Sequence, residues 1–274
     1  MILKKSYNYG LTKKVALFTN ARDELHIKEW AAHHLLIGFD QIIIFDHKSK
    51  IPLTNVFQNF DKRVTVARID TDGPVKISLM NKAINIAKKI NVDWFIYLDA
   101  DEFIILHNKF KGIKGFLNIY GRAHSVAVNW LMFGSNNLIN EPEHIMESYT
   151  KSEVILNKHV KCFVRPQEAL KSDNPHFYHI KAPNKVYGLH GRSNSGHFNN
   201  LPIPFYKSPA YIAHYYTQSE ETYTKRKLSV PRDDTGEMRS GDVKTIHNSS
   251  NDIDNLHPKS RYSENIKRFL EYYK

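Results

Sequence analysis

Four short apolar runs near the start of the chain, each ending in a polar cluster, constrain its fold more than any other feature. Val15-Ala-Leu-Phe-Thr19 stops at Asn20-Ala-Arg-Asp-Glu24, and Gln41-Ile-Ile-Ile-Phe45 at Asp46-His-Lys-Ser49. The third, Val64 to Ile69, runs into Asp70-Thr-Asp-Gly-Pro74, and the fourth, Val92-Asp-Trp-Phe-Ile-Tyr-Leu98, into Asp99-Ala-Asp-Glu102. Between the first two, Ile27, Trp30, Ala31, His34, Leu35 and Gly38 recur at the spacing of one helix face. After the third, Pro74 suits a helix start and Ile77, Met80, Ile84 and Ala87 repeat on one side. Strands alternating with helices predict an α/β protein built on a mostly parallel sheet. Ligands of open parallel sheets sit beyond the carboxyl ends of the strands, so the four acidic clusters are expected to share one rim.

Beyond about residue 105 the periodicity weakens. Gly112–Tyr120 reads as a helix and Ser125-Val-Ala-Val-Asn-Trp-Leu-Met-Phe133 as a long strand. Short strands are expected at Val154–Leu156 and Val160–Val164, and helices at Glu220–Leu228 and Tyr262–Tyr273. One domain over 1–274 is the expectation, with a ligand-binding half at 1–110, a more irregular half at 111–230 and an extension at 231–274. The stripe Tyr262, Ile266, Phe269, Leu270, Tyr273 predicts a terminal helix packed on the domain, and is also compatible with peripheral membrane contact.

Composition narrows the function classes. One cysteine, Cys162, excludes an internal disulfide framework and a multi-cysteine zinc module. The remaining histidines, His33, His34, His179, His190 and His197 among them, lack zinc-like spacing and are expected to be structural or exposed. The 39 Lys and Arg outnumber 28 Asp and Glu, giving a formal charge of +11 that favours an anionic partner. The basic residues are dispersed, with no aromatic-interleaved run, which argues against nucleic acid. A nucleotidyltransferase also places a carboxylate-bound metal on an α/β sheet, but no glycine-rich phosphate loop is present. No segment approaches signal-peptide or membrane-span length, so the expected compartment is cytoplasmic.

Asp99-x-Asp101 followed by Glu102 concentrates carboxylates at the end of the most strand-like segment, with Phe103-Ile-Ile-Leu106 directly after. Acidic groups wedged between apolar runs are costly unless paired or metal-bound, and two carboxylates from one turn can hold a hard divalent ion. Trp130 and Gly134, in Trp130-Leu-Met-Phe-Gly-Ser135, read either as core residues or as an aromatic face and a close backbone approach for a ligand.

In this order, Asn20-x-x-Asp-Glu24, Glu29-Trp30, His34, Gly38-Phe-Asp40, Asp46-x-x-Ser49, Leu98-Asp-Ala-Asp-Glu-Phe103 and Trp130-x-x-Phe-Gly-Ser135 resemble the family-2-like and family-92-like (DUF23-type) glycosyltransferases. Lys161-x-x-Val-Arg-Pro166, Pro175-His176 and His214-Tyr-Tyr-x-x-Ser-Glu-Glu221 with Lys225 continue the resemblance, which covers roughly residues 15–230. It implies a GT-A fold, a Rossmann-like sheet followed by an acceptor-side half. It also implies inverting sugar transfer from a nucleotide diphosphate sugar, a UDP-sugar before a GDP-sugar, to a glycan or other hydroxyl, assisted by Mn²⁺ or Mg²⁺. Under that resemblance Thr19, Asn20 and Glu24 would line the nucleotide pocket and Asp46 would meet the base. Asp99 would face ribose and metal, Asp101 would be the main metal ligand, and His214 would complete the metal site. Lys76, Lys225 or Arg226 could add positive charge. Candidates for the base that deprotonates the acceptor are Glu102, Glu141, His176 and Asp233.

Overall fold

The computed structural model describes residues 10–189, 191–192 and 202–274; His190 and His197 lie outside them. Strands β1 (Val15–Ala21), β2 (Gln41–His47), β3 (Val64–Ile69) and β4 (Trp94–Tyr97) are parallel, in the order β3-β2-β1-β4. Both faces of β1, β2 and β4 are buried, and β3 at the edge is partly exposed. Val15, Leu17, Ile42, Ile44, Trp94 and Ile96 point into one apolar cluster, and Ala16, Phe18, Ile43, Phe45, Phe95 and Tyr97 into a second. The two-residue alternation of strand side chains explains the split, and continuous apolar runs are what such strands require. Helix Ile27–Leu36 lays Ile27, Trp30, Ala31 and Leu35 on the first cluster. Helix Lys76–Lys89 lays Leu79, Met80, Ala83, Ile84 and Ala87 on the second. Gly38, at φ 104°, follows the first helix in the left-handed region that favours glycine.

The second half is more regular than its sequence suggests. It supplies β5 (Glu102–Leu106), β6 (Ser125–Met132), β7 (Lys151–Ser152), β8 (Val160–Val164), β9 (Ala169–Asn174), β10 (Phe177–Ile180), β11 (Val186–Gly188), β12 (Gly191–Arg192), β13 (Ala210–His214) and β14 (Ile253–Asp254). β8 runs antiparallel between β4 and β6, so the sheet continues β4-β8-β6-β11-β12. β13 pairs with β6 on one side and β5 on the other, closing a large curled sheet. β6 and β8 match the strands expected at Ser125–Phe133 and Val160–Val164, whereas most of the others escape a pattern search because they are short and several alternate poorly.

The expected strand at Val154–Leu156 does not form. Ile155 makes a single bridge to Pro204, flanked by Leu156 N–H donating to the Ile203 carbonyl at 2.9 Å and Phe205 N–H to the Val154 carbonyl at 3.0 Å. The expected helix over Glu220–Leu228 is helical throughout, but after Thr222 it widens into π-type turns over Tyr223–Leu228. The C-terminal stripe packs as expected. Tyr262 and Ile266 are buried, Phe269 and Leu270 lie against the same core, and the Tyr273 ring sits 4.9 Å from Phe60. Among the described residues no helix is long and apolar enough to cross a membrane.

His33 and His34 are structural, as expected. Both are fully buried; His33 Nε2 donates to the Ile104 carbonyl at 2.8 Å and His34 Nδ1 to that of Trp30 at 2.8 Å. Burial lowers the His33 pKa from 6.5 to about 4. The folded value lies below the unfolded one, so the associated stability is complete above about pH 6.5 and is lost as the pH falls toward 4. The wild type should therefore lose about 2 kcal/mol more than His33→Gln, which keeps an N–H donor, between pH 7 and pH 5 in urea unfolding.

Candidate active site

The rim expected at the strand ends exists, and it is built around the turn Asp99–Glu102. Glu102 N–H donates to the Asp99 carbonyl at 3.1 Å, and Asp99 N–H donates back to Glu102 Oε2 at 2.9 Å. The Glu102 carbonyl accepts the Trp30 indole N–H at 2.8 Å, and the Asp101 carbonyl accepts Tyr215 N–H at 3.0 Å. The turn is thus fastened to a helix of the first half and to the end of β13. Glu102 itself is fully buried, and that burial pushes its carboxyl up to about 8. It supports the turn from behind and has no exposed face for an acceptor.

Three lysines and one histidine meet the carboxylates. Lys161 projects from β8 with 1 % of its side chain exposed, and its ammonium lies 3.3 Å from Asp99 Oδ2 and 3.6 Å from Glu102 Oε1. It also donates to the Pro175 carbonyl at 3.0 Å. Lys76, in the first turn of its helix, pairs with Asp99 Oδ1 and lies 3.6 Å from Asp233 Oδ1. Burial alone would raise the Asp99 carboxyl, but Lys161 and Lys76 hold it well below the usual range. Lys227 pairs with Asp101 Oδ2, while His214 Nε2 stands 3.6 Å from Asp101 Oδ1. Burial also opposes ionisation of Asp101, and Lys227 outweighs it. Burial lowers His214 to about 4, so its imidazole is neutral near pH 7.

The structure brings together Asp99, Asp101, Glu102, Lys76, Asp233 and His214. Asn20 joins them: its Oδ1 accepts the Tyr97 hydroxyl at 2.9 Å and its Nδ2 donates to Asp233 Oδ2 at 2.5 Å. The Asp233 carbonyl accepts Val75 and Lys76 N–H at 2.9 and 3.0 Å, wiring the C-terminal extension into the rim. Thr19 is buried, with its hydroxyl donating to the Asn20 carbonyl at 3.2 Å. Glu24 is paired with Arg226 across the rim.

Other expected residues are engaged elsewhere. Asp46 is fully buried. Its oxygens accept Ser49 N–H and Leu53 N–H at 3.0 Å each and the Arg68 guanidinium at 2.9 Å, so it shapes the end of β2. Glu141 binds His26 at 2.5 Å, Ser219 at 2.7 Å and Tyr149 at 3.2 Å, together with Thr222, as a buttress under the 219–222 turn. Trp130 lies amid histidine rings at 4.3 Å (His214), 5.1 Å (His176) and 5.3 Å (His159). A Cβ at Gly134 would overlap the Asn251 side chain and the Ser250 carbonyl, so its lack of a side chain serves the fold's own close approach. Lys225 is exposed and pairs with Glu221 one turn away.

From sequence, Lys161 entered only as the first residue of a resemblance motif, with no role attached, and Lys227 was not singled out. A lysine between Val160 and Cys162 in an apolar strand was a readable signal of a buried charge. Nothing distinguishes Lys227 from its neighbours in Lys225-Arg226-Lys227.

Asp101 and His214 suit a divalent ion chemically: an ionised carboxylate beside a neutral imidazole whose buried Nδ1 has no hydrogen-bond partner. Asp99 is turned away from them toward Lys76 and Lys161, and no three His, Cys, Asp or Glu side chains among the described residues form a ready cage. A divalent ion held there would have these two protein ligands on one side of the turn and would take its other coordination positions from water and substrate oxygens.

The sequence model of glycosyltransferase family 92 matches residues 15–253. The chain belongs to glycosyltransferase family 92. It is an α/β glycosyltransferase with a curled, mostly parallel central sheet. No curated protein sequence matches it significantly. Among solved structures, HddC from Yersinia pseudotuberculosis overlays with a TM-score of 0.36 at 13% identity, covering 71% of this chain and 97% of that one. UDP-glucose pyrophosphorylase complexed with UDP-glucose gives 0.31 at 13% identity, over 56% and 76%. Overlaps this loose carry no functional argument.

Lys161→Met would leave the buried Asp99 and Glu102 carboxyls facing each other without their shared cation. The expected cost is about 3–5 kcal/mol in denaturant unfolding, partly recovered by adding Glu102→Gln. A Lys161→Met protein as stable as wild type would refute the charge-pairing role.

Proposed function

We propose that this glycosyltransferase moves a sugar from a nucleotide diphosphate sugar, with UDP-sugars the first to test, to a hydroxyl of a glycan or other acceptor, with inversion. The observation that carries the proposal is the Asp99–Glu102 turn at the parallel-strand rim, with His214 beside Asp101, in a chain of this family. Asn20, at the end of β1, lies on the side proposed for the nucleotide.

In the transfer, the acceptor oxygen bonds to the anomeric carbon, the sugar–phosphate bond breaks, and the electron pair leaves with the nucleoside diphosphate. A Mn²⁺ or Mg²⁺ held by Asp101 and His214 would offset the charge that develops on that leaving group. Lys76, anchored by Asp99 and Asp233, adds a fixed positive charge to the same rim. With Glu102 buried and Glu141 bonded under the 219–222 turn, Asp233 and His176 are the groups proposed to take the acceptor proton. His176 Nδ1–H donates to the Val160 carbonyl at 3.0 Å, which orients Nε2 as the basic nitrogen. Burial holds this imidazole near a pKa of about 4, so it is neutral in the working range.

The test is a thermal-shift and hydrolysis screen of UDP- and GDP-sugars with and without Mn²⁺. Asp101→Asn should lower kcat/KM at least about 100-fold on the responding donor and abolish the metal-dependent part of the melting shift. Equal metal-dependent shifts in variant and wild type would remove Asp101 from the metal site.

A further inference from the structure

Lys227 occupies the position where a metal-assisted reading calls for a cation. Its ammonium pairs with Asp101 Oδ2, on the carboxylate whose other oxygen faces His214. The same ammonium lies 4.9 Å from the centre of the Tyr216 ring, on a four-carbon stem that can swing without backbone movement. The residue before it, Arg226, grips Glu24 after the end of β1. Two consecutive side chains of the Tyr223–Leu228 segment therefore hold two acidic groups of the rim, each from a different strand end.

Charge counting gives this arrangement a consequence. Lys76, Lys161 and Lys227 bring three positive charges to Asp99, Asp101 and Asp233, with the buried Glu102 carboxyl behind them. The cluster is already close to balanced. A divalent ion added alone would meet Lys227 at contact distance from the same carboxylate, and repulsion between the two cations would oppose it. A diphosphate arriving with the ion would supply the missing negative charge and an alternative partner for the ammonium.

We propose that Lys227 is an exchangeable counter-ion of Asp101: it neutralises the carboxylate in the donor-free protein, yields that oxygen to the divalent ion, and turns its ammonium onto the β-phosphate of the donor. Metal and donor then bind as a pair, each weakly without the other. This rests on the donor and metal reading of the site given above.

Calorimetric titration of wild type, Lys227→Met and Lys227→Arg with MnCl₂ alone, and with UDP, GDP, UMP and GMP in saturating Mn²⁺, separates the outcomes. In Lys227→Met, Mn²⁺ alone should bind about fivefold tighter, because its competitor is gone. The responding nucleoside diphosphate should bind about tenfold weaker while its monophosphate changes less than about twofold. Lys227→Arg should keep the wild-type preference for the diphosphate. Circular dichroism confirms that each variant is folded, and Lys227→Gln replaces Lys227→Met if the latter is not. Unchanged Mn²⁺ affinity in a folded charge-removing variant, or equal weakening of di- and monophosphate, overturns the exchange and leaves the donor reading intact. A wild type that binds neither diphosphate with Mn²⁺ overturns both.

Discussion

The contact between the Lys161 ammonium and the Asp99–Glu102 turn organises this protein. An ammonium with 1 % of its side chain exposed has lost its water and needs anions in return. It finds them on a turn that precedes β5, while its own backbone lies in β8 between β4 and β6. Pairing of β8 with β4 and burial of the charge are therefore one event. The strand that joins the two halves of the sheet is also the strand that keeps the acidic turn ionised where it must be. Removing the charge would disturb the fold and the site together.

The C-terminal part is bound to the same centre at several points. The Asp233 carbonyl accepts two backbone N–H groups at the start of helix Lys76–Lys89, and its carboxylate accepts the Asn20 side-chain amide. The Asn251 side chain fills the space left by Gly134 and accepts Asn136 N–H at 2.9 Å. Tyr262 hydroxyl meets the backbone of Leu106, and Arg261 donates to the Leu106 and Phe110 carbonyls. The extension thus completes the rim on one side and covers the first-half helix on the other.

Much of this was legible in sequence, and the reasons differ by region. The inner parallel strands announce themselves because both faces are buried, so each is a largely apolar run ending where the chain meets solvent, while β3 at the edge carries exposed Thr65 and Arg68. Val64–Ile69 and Val160–Val164 were bounded to the residue. The acidic turn was readable from its position between two such runs. The hairpin Ala169–Asn174 with Phe177–Ile180 was not, since Leu170 and Lys171 are exposed in succession and the period breaks. The site was legible as a rim but not as a circuit: Asp46 and Asp99 look alike in sequence, and only the fold shows that one is enclosed by Ser49, Leu53 and Arg68 and the other by lysines. The identity of a carboxylate's partner is a long-range fact, and local pattern has no access to it.

The double pairing of β13 gives His214 an unusual kind of address. It stands opposite Glu102 on one neighbouring strand and Met132 on the other. A slip of one residue in β13 would send the imidazole to the opposite face of the sheet while breaking two ladders instead of one. Length changes in the loops on either side of β13 leave that registration alone; an inserted or deleted residue within it does not. For anyone grafting new acceptor loops onto this scaffold, β13 is a fixed datum, and so are Tyr215 and the 219–222 turn that follow it.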